Sequence, residues 1–78
     1  MTVRVECYSG FKADERPLRL QLGERWLAVE EVLDRWYDPR ATFYRVRAAD
    51  GYIYILRHSE PDDVWTLESL RRPSESAP

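Results

Sequence analysis

Apolar and polar residues alternate with a period of two along most of the chain. Within residues 2–8, Val3, Val5 and Cys7 fall on one side and Arg4, Glu6 and Tyr8 on the other, the pattern of a half-buried strand. Ser9 to Pro17 breaks it. Ser-Gly followed by a charged run ending in proline reads as a surface loop. Residues 18–22 alternate again, with Leu18, Leu20 and Leu22 on one face, and Gly23-Glu24 reads as a two-residue turn with glycine first. Pairing Leu22 with Arg25 sets Leu20 opposite Leu27 and Leu18 opposite Val29. The apolar residues of both strands then share a face that Leu33 extends, and a one-residue slip would undo the match. Residues 26–36 are therefore read as strand. The spacing of Leu27, Glu30, Glu31 and Asp34 also suits a helix, which Glu, Leu and Ala favour.

Asp38-Pro39 marks the next turn. In residues 43–58, Asp50-Gly51 is a strong hairpin signal, because a type I′ turn needs positive φ at both central residues. A two-residue loop there sets Ala49 opposite Tyr52 and Val46 opposite Ile55. Tyr44, Val46, Ala48, Ile53 and Ile55 would then form one face. Phe43, Arg45, Arg47, Tyr52, Tyr54, Leu56 and His58 would form the other. A last short strand is expected at residues 64–67, with Val64 or Trp65 facing inward, although residues 63–70 leave helix open. Residues 71–78, rich in Pro, Ser and charge, read as a disordered tail.

Five or six short strands joined by tight turns predict a single all-β domain over residues 1–70. It would be a small antiparallel meander curled into an SH3-like barrel or a two-layer sheet. Leu18, Leu20, Leu27, Val29, Leu33, Val46, Ile53 and Ile55 are the expected filling. The three tryptophans cannot all sit centrally, so some should close the ends or lie half exposed. A chain of 78 residues buries only about 60% of its unfolded surface, which leaves room for about a dozen core side chains.

With 44% hydrophobic and 13% aromatic residues the chain has the composition of a folded protein. No apolar run is long enough to span a bilayer and no signal peptide is evident, so membrane partners are not expected. One cysteine cannot form an internal disulfide, and together these absences suggest a bacterial-type cytoplasmic protein. The net charge of −2 argues against a wholly basic nucleic-acid binder. The charge is uneven, however. Arg40, Arg45, Arg47 and Arg57 outnumber acids in residues 36–58, whereas residues 59–78 are acidic. Lys12 is the single lysine among twelve basic residues. Codon usage explains that bias more simply than selection for bidentate contacts does.

Two segments, CYSGFKADERPLRL and EEVLDRWYDPRATFYRVRAADGYIYILRH, resemble a family of small stand-alone bacterial proteins with no assigned function. Residues 36–58 are also similar to the small β module that ends certain Y-family-polymerase-like proteins of the bacterial mutagenic repair system. Trp36, Tyr44, Arg45, Val46, Asp50, Gly51, Tyr54 and Leu56 carry that likeness. It implies a module working beside DNA transactions. It implies no catalytic residue, and the polymerase portion is lacking.

Three sets of residues are candidate sites. Arg45, Arg47, Tyr52 and Tyr54, with His58 at the end, would line the outer hairpin face, where rings can stack on bases and arginines can pair with phosphates. Cross-strand cation–π decoration is the simpler explanation of the same pattern. Lys12 and Arg16 belong to a polar loop that could recognise a partner or merely be solvated. Trp36, Tyr37 and Arg40 could anchor a protein, since Trp, Tyr and Arg dominate interface hot spots. No spacing supports a Cys7–His58 nucleophile pair, a metal site or a phosphate loop, and no cofactor is implied. A ligand-binding reading would need a concave site near Cys7 or His58. The expectation is a non-catalytic binding module for a protein partner, with single-stranded nucleic acid as the alternative. Unpaired sheet edges would also let two copies form a homodimer.

Overall fold

The computed structural model describes residues 1–8 and 16–72. Its six strands are β1 (Thr2–Tyr8), β2 (Arg16–Leu22), β3 (Arg25–Asp38), β4 (Ala41–Ala48), β5 (Ile53–Ser59) and β6 (Val64–Arg71). Each pairs antiparallel with the next, and β6 returns to β1, so the meander closes into a barrel. Closure removes most of the edge that an open sheet of this size would expose. No helix among the described residues is long and apolar enough to cross a membrane. Residues 26–36 and 64–71 are both strand. Side-chain alternation and cross-strand partners therefore outweigh the helix propensity of the Glu-rich run.

The β2–β3 hairpin has the expected register, Leu22 with Arg25 and Leu20 with Leu27. Gly23 sits at φ +61°, and Glu24 is not in the left-handed region, as a turn with glycine first requires. Leu18 departs from expectation and is 42% exposed. Glu6 pairs with Arg19 and Cys7 with Pro17, so Leu18 is the extra residue of a bulge and has no place in the inward row. Two more bulges interrupt β3, at Glu30 and Leu33. The first brings Val29 and Val32, three positions apart, onto the same core-facing side, where both pack partly buried.

The β4–β5 register overturns the expected one. Arg47 pairs with Ile53, Val46 with Tyr54 and Tyr44 with Leu56. The loop holds three residues, Ala49, Asp50 and Gly51. Ala48 N–H donates to the Tyr52 carbonyl at 3.1 Å, and Gly51 N–H donates to the Ala48 carbonyl at 2.9 Å. Only Gly51, at φ +87°, has positive φ here, so the turn is a three-residue loop closed by a left-handed glycine and not type I′. The Asp50 carboxylate accepts from the Tyr52 N–H, and Ala49 N–H donates to the Ala28 carbonyl of β3, which ties the loop down. One added loop residue turns every β5 side chain to the opposite face. Tyr54 and Leu56 point inward, and Ile53 and Ile55 point out.

The core is accordingly Val3, Leu20, Leu27, Tyr44, Val46, Ala48, Tyr54, Leu56 and Trp65. Of the expected filling, Leu20, Leu27 and Val46 are buried. Tyr54 and Leu56 take the volume assigned to Ile53 and Ile55, while Tyr44 faces inward as expected. Trp65 lies inside while Trp36 is exposed and Trp26 half-buried. β6 runs through Arg71, which pairs with Ile53, so the strand reaches into the expected tail. Residues 73–78 of that tail lie outside the described residues.

Candidate functional site

The β4–β5 register decides what the barrel presents outside. Reading across the strands, one outer row is Glu31, Arg47, Ile53 and Arg71. The next is Asp34, Arg45, Ile55 and Ser69, and a third is Trp36, Phe43, Arg57 and Thr66. Arg45 and Arg47 thus face outward as expected, but the tyrosines do not join them. Tyr54 is 2% exposed in the core, and Tyr52 packs half-buried against it.

Tyr54 owes its position to apolar neighbours and to one polar contact. Its hydroxyl donates to the Asp50 carboxylate at 2.6 Å. Burial, reinforced by that hydrogen bond to an anion, pushes its phenol well above the usual tyrosine range. The unfolded chain would release this proton near pH 10, whereas the folded barrel retains it. The raised value therefore contributes stability that is complete below about pH 10 and is lost as pH rises further. In an alkaline absorbance titration Tyr54 should ionise only as the protein unfolds, and Tyr54→Phe should delete that late component. A titration in which every phenol ionises together near its ordinary value would contradict this.

Charge on the outer face is graded. Arg47 lies 2.9 Å from Glu31 and 3.6 Å from Glu30, and Arg45 lies 3.6 Å from Asp34. These exposed pairs add little stability, but they neutralise the β3 side of the face. Arg57, Arg71 and Arg72 have no ion-pair partner among the described residues, so the β5–β6 side carries three arginines against one exposed carboxylate, Glu68, which accepts from the Thr66 hydroxyl at 3.0 Å. Elsewhere on the barrel, Arg19 forks onto Glu6 at 2.7 and 3.1 Å and covers the Trp26 ring at 4.5 Å. The hydrogen bond from Arg19 holds the Glu6 carboxyl below its usual range.

Trp36, Tyr37 and Arg40 occupy one end of the barrel. Trp36 stacks flat on Phe43, with ring centroids 5.4 Å apart, yet remains 39% exposed; Tyr37 is 68% exposed. Trp36 and Tyr37 end β3, and the turn that follows and carries Arg40 is fixed by Asp38, whose carboxylate accepts from the Arg40 N–H at 3.0 Å. The Thr42 hydroxyl donates to Glu60 at 2.9 Å and joins this turn to the β5–β6 turn. A groove of about 520 Å³ lies between the two turns, bordered by Tyr37, Pro39, Arg40, Glu60 and Pro61. Arg16 is exposed at the start of β2, beside a smaller cleft bordered by Pro17, Val29 and Glu30. Lys12 and the rest of the loop 9–15 lie outside the described residues.

His58 does not belong to the outer face. Its ring stacks on Trp65 at 4.3 Å, and its Nε2 lies 2.9 Å from Asp63, a residue held at φ 55°. β1 pairs with β6 only at Thr2–Thr66 and Val3–Trp65, and where that pairing stops an open groove of about 560 Å³ runs along β1. Val5, Cys7, Trp26, His58, Asp63 and Trp65 border it, so a concavity does exist near Cys7 and His58. It is a surface groove at the barrel seam and not a chamber in the core. No group of three or more His, Cys, Asp or Glu side chains among the described residues could hold a metal ion.

The alternation alone missed Ile53, Ile55, Arg57 and Arg71 as outer-face neighbours. The available signal was the longer loop reading of Ala49-Asp50-Gly51. No protein-family model matches the chain, and neither curated proteins nor solved structures provide a match.

Proposed function

We propose that the chain is a non-catalytic binding module whose partner is a protein. One observation carries this reading: Tyr37 and Arg40 stand exposed on a groove that can receive a partner side chain, at a turn braced by Asp38 and Thr42, with Trp36 exposed one position earlier on β3. Exposed aromatic and arginine side chains held on rigid strands lose little freedom on binding, which is why they dominate interface energetics. Single-stranded nucleic acid is the weaker alternative. Tyr54 is buried, and Trp36 and Phe43 stack on each other, so few rings remain to take bases. The likeness of residues 36–58 to a repair-protein module is the pointer to work beside DNA transactions.

The test compares partner recovery by the full chain and by a Trp36→Ala/Tyr37→Ala variant. Both changed residues are exposed, so near-ultraviolet circular dichroism of the core should persist. A protein retained by the wild type should be lost by about tenfold or more in the variant. Equal recovery by both chains would refute this anchor.

A further inference from the structure

The inference here rests on the binding-module reading and specifies its partner. Outward positions of a barrel strand ordinarily carry polar side chains, because nothing covers them. β5 instead presents Ile53 and Ile55 outward, half-buried and in adjacent rows. Neither contributes to the core cluster. They form an apolar floor between two sets of arginines. Arg71 is the β6 partner of Ile53, Arg45 is the β4 partner of Ile55, and Arg72 follows at the end of β6. Together these five residues border a groove of about 440 Å³.

The cations around this floor are available. Among the described residues Arg57, Arg71 and Arg72 have no ion-pair partner; Arg71 and Arg72 are exposed, and Arg57 lies in the next outer row. Arg45 has only a 3.6 Å contact with half-exposed Asp34. Arg19 and Arg47, by contrast, are closely engaged by glutamates. Although the chain carries a net charge of −2, these arginines have no ion-pair partner among the described residues where they flank the half-buried apolar floor. An apolar centre with an arginine rim suits a protein surface of opposite charge. The floor is aliphatic and offers no ring on which a base could stack, which favours a peptide over a nucleic acid.

We propose that this groove binds an acidic peptide segment of the partner, with an aliphatic side chain seated on Ile53 and Ile55 and carboxylates paired to Arg71, Arg72 and Arg57. The segment lies along the same outer face as Trp36 and Phe43, so one partner can engage both ends.

The experiment is an amide NMR titration of the full chain with a short synthetic peptide of glutamates interrupted by isoleucines. The same peptide with lysines for glutamates, and a short oligothymidylate, serve as comparison probes. The glutamate peptide should shift the amides of Ile53, Ile55, Ser69 and Arg71. Its affinity should fall about tenfold or more in the Arg71→Glu/Arg72→Glu variant, and fall further with added salt. Equal binding of the lysine peptide would overturn the charge assignment. Stronger shifts of the same amides by oligothymidylate would make the groove a nucleic-acid site, and silence with all three probes would leave it without a ligand of this class; either result overturns the proposal. The two readings fail separately. A protein partner lost by Trp36→Ala/Tyr37→Ala but kept by Arg71→Glu/Arg72→Glu would uphold the module and refute the acidic groove. Glutamate-peptide binding in a chain whose partner ignores Trp36 and Tyr37 would do the reverse.

Discussion

Replacing Trp65 with alanine should open the barrel at its seam and remove much of its stability. The indole is 7% exposed, stacks on His58 at 4.3 Å and lies 5.4 Å from Tyr44. It also belongs to one of only two residue pairs that join β6 to β1. Truncating a buried tryptophan costs about 3–5 kcal/mol, because the lost contacts leave a space the surroundings only partly fill. A domain of this size has roughly 4–12 kcal/mol to lose, so the variant should be largely destabilised. Its melting temperature should drop by about 4–8 °C for each kcal/mol lost. The loss should also be uneven. Amides of β1 should exchange with solvent faster than those of β4 and β5, since β1 gives up its closing contact while the β4–β5 ladder keeps its seven residue pairs. Val64→Ala, at an exposed neighbouring position, is the control and should change stability by no more than about 0.5 kcal/mol. Uniform exchange in Trp65→Ala, or a melt like that of Val64→Ala, would show that the seam does not depend on this ring.

The parts of the fold legible in the sequence are those in which one face is clearly apolar and the loop length is fixed. Leu18 to Val29 is such a case. Gly23-Glu24 allows one turn, Leu20 and Leu27 demand a shared face, and the observed register follows. Even there Leu18 escapes inspection, because a bulge depends on how β1 meets β2 and leaves no mark in the local pattern. The β4–β5 hairpin lacks the first condition. β5 begins Ile53, Tyr54, Ile55, Leu56, so Ile53 with Ile55 and Tyr54 with Leu56 both make an apolar inward set. Alternation cannot choose between two apolar faces. The choice falls to the loop, where Asp50-Gly51 fits a two-residue turn and Ala49-Asp50-Gly51 fits a three-residue turn with the same glycine. The hydrogen bonds that the Asp50 carboxylate accepts from the Tyr52 amide and the Tyr54 hydroxyl favour the longer loop, and the burial of Tyr54 that accompanies them is a tertiary fact. Of the candidate site, the outward placing of Arg45 and Arg47 could be read from the alternation. The apolar floor between the arginines could not, since it exists only in the observed register.

That register predicts very different costs for the same substitution at two adjacent residues. Tyr54→Glu places a carboxylate in the core, near the Asp50 carboxylate that now accepts the tyrosine hydroxyl. A buried charge without a partner costs about 3–5 kcal/mol, so this chain should be unfolded or nearly so. Ile55→Glu places the same carboxylate outside, opposite Arg45 on β4. A cross-strand pair of opposite charge recovers part of the lost apolar contact, and the change should stay within about 1 kcal/mol. Urea unfolding midpoints of the two variants measure the difference directly. If the loop held two residues, Tyr54 would be outside and Ile55 inside, and the order of the midpoints would reverse. The same pair of variants also bears on binding. Ile55→Glu keeps the barrel folded while putting a negative charge on the proposed peptide floor, so glutamate-peptide affinity should fall by about tenfold or more without loss of the core. A folded Ile55→Glu chain that still binds the acidic peptide would separate the fold, which it supports, from the groove, which it would remove.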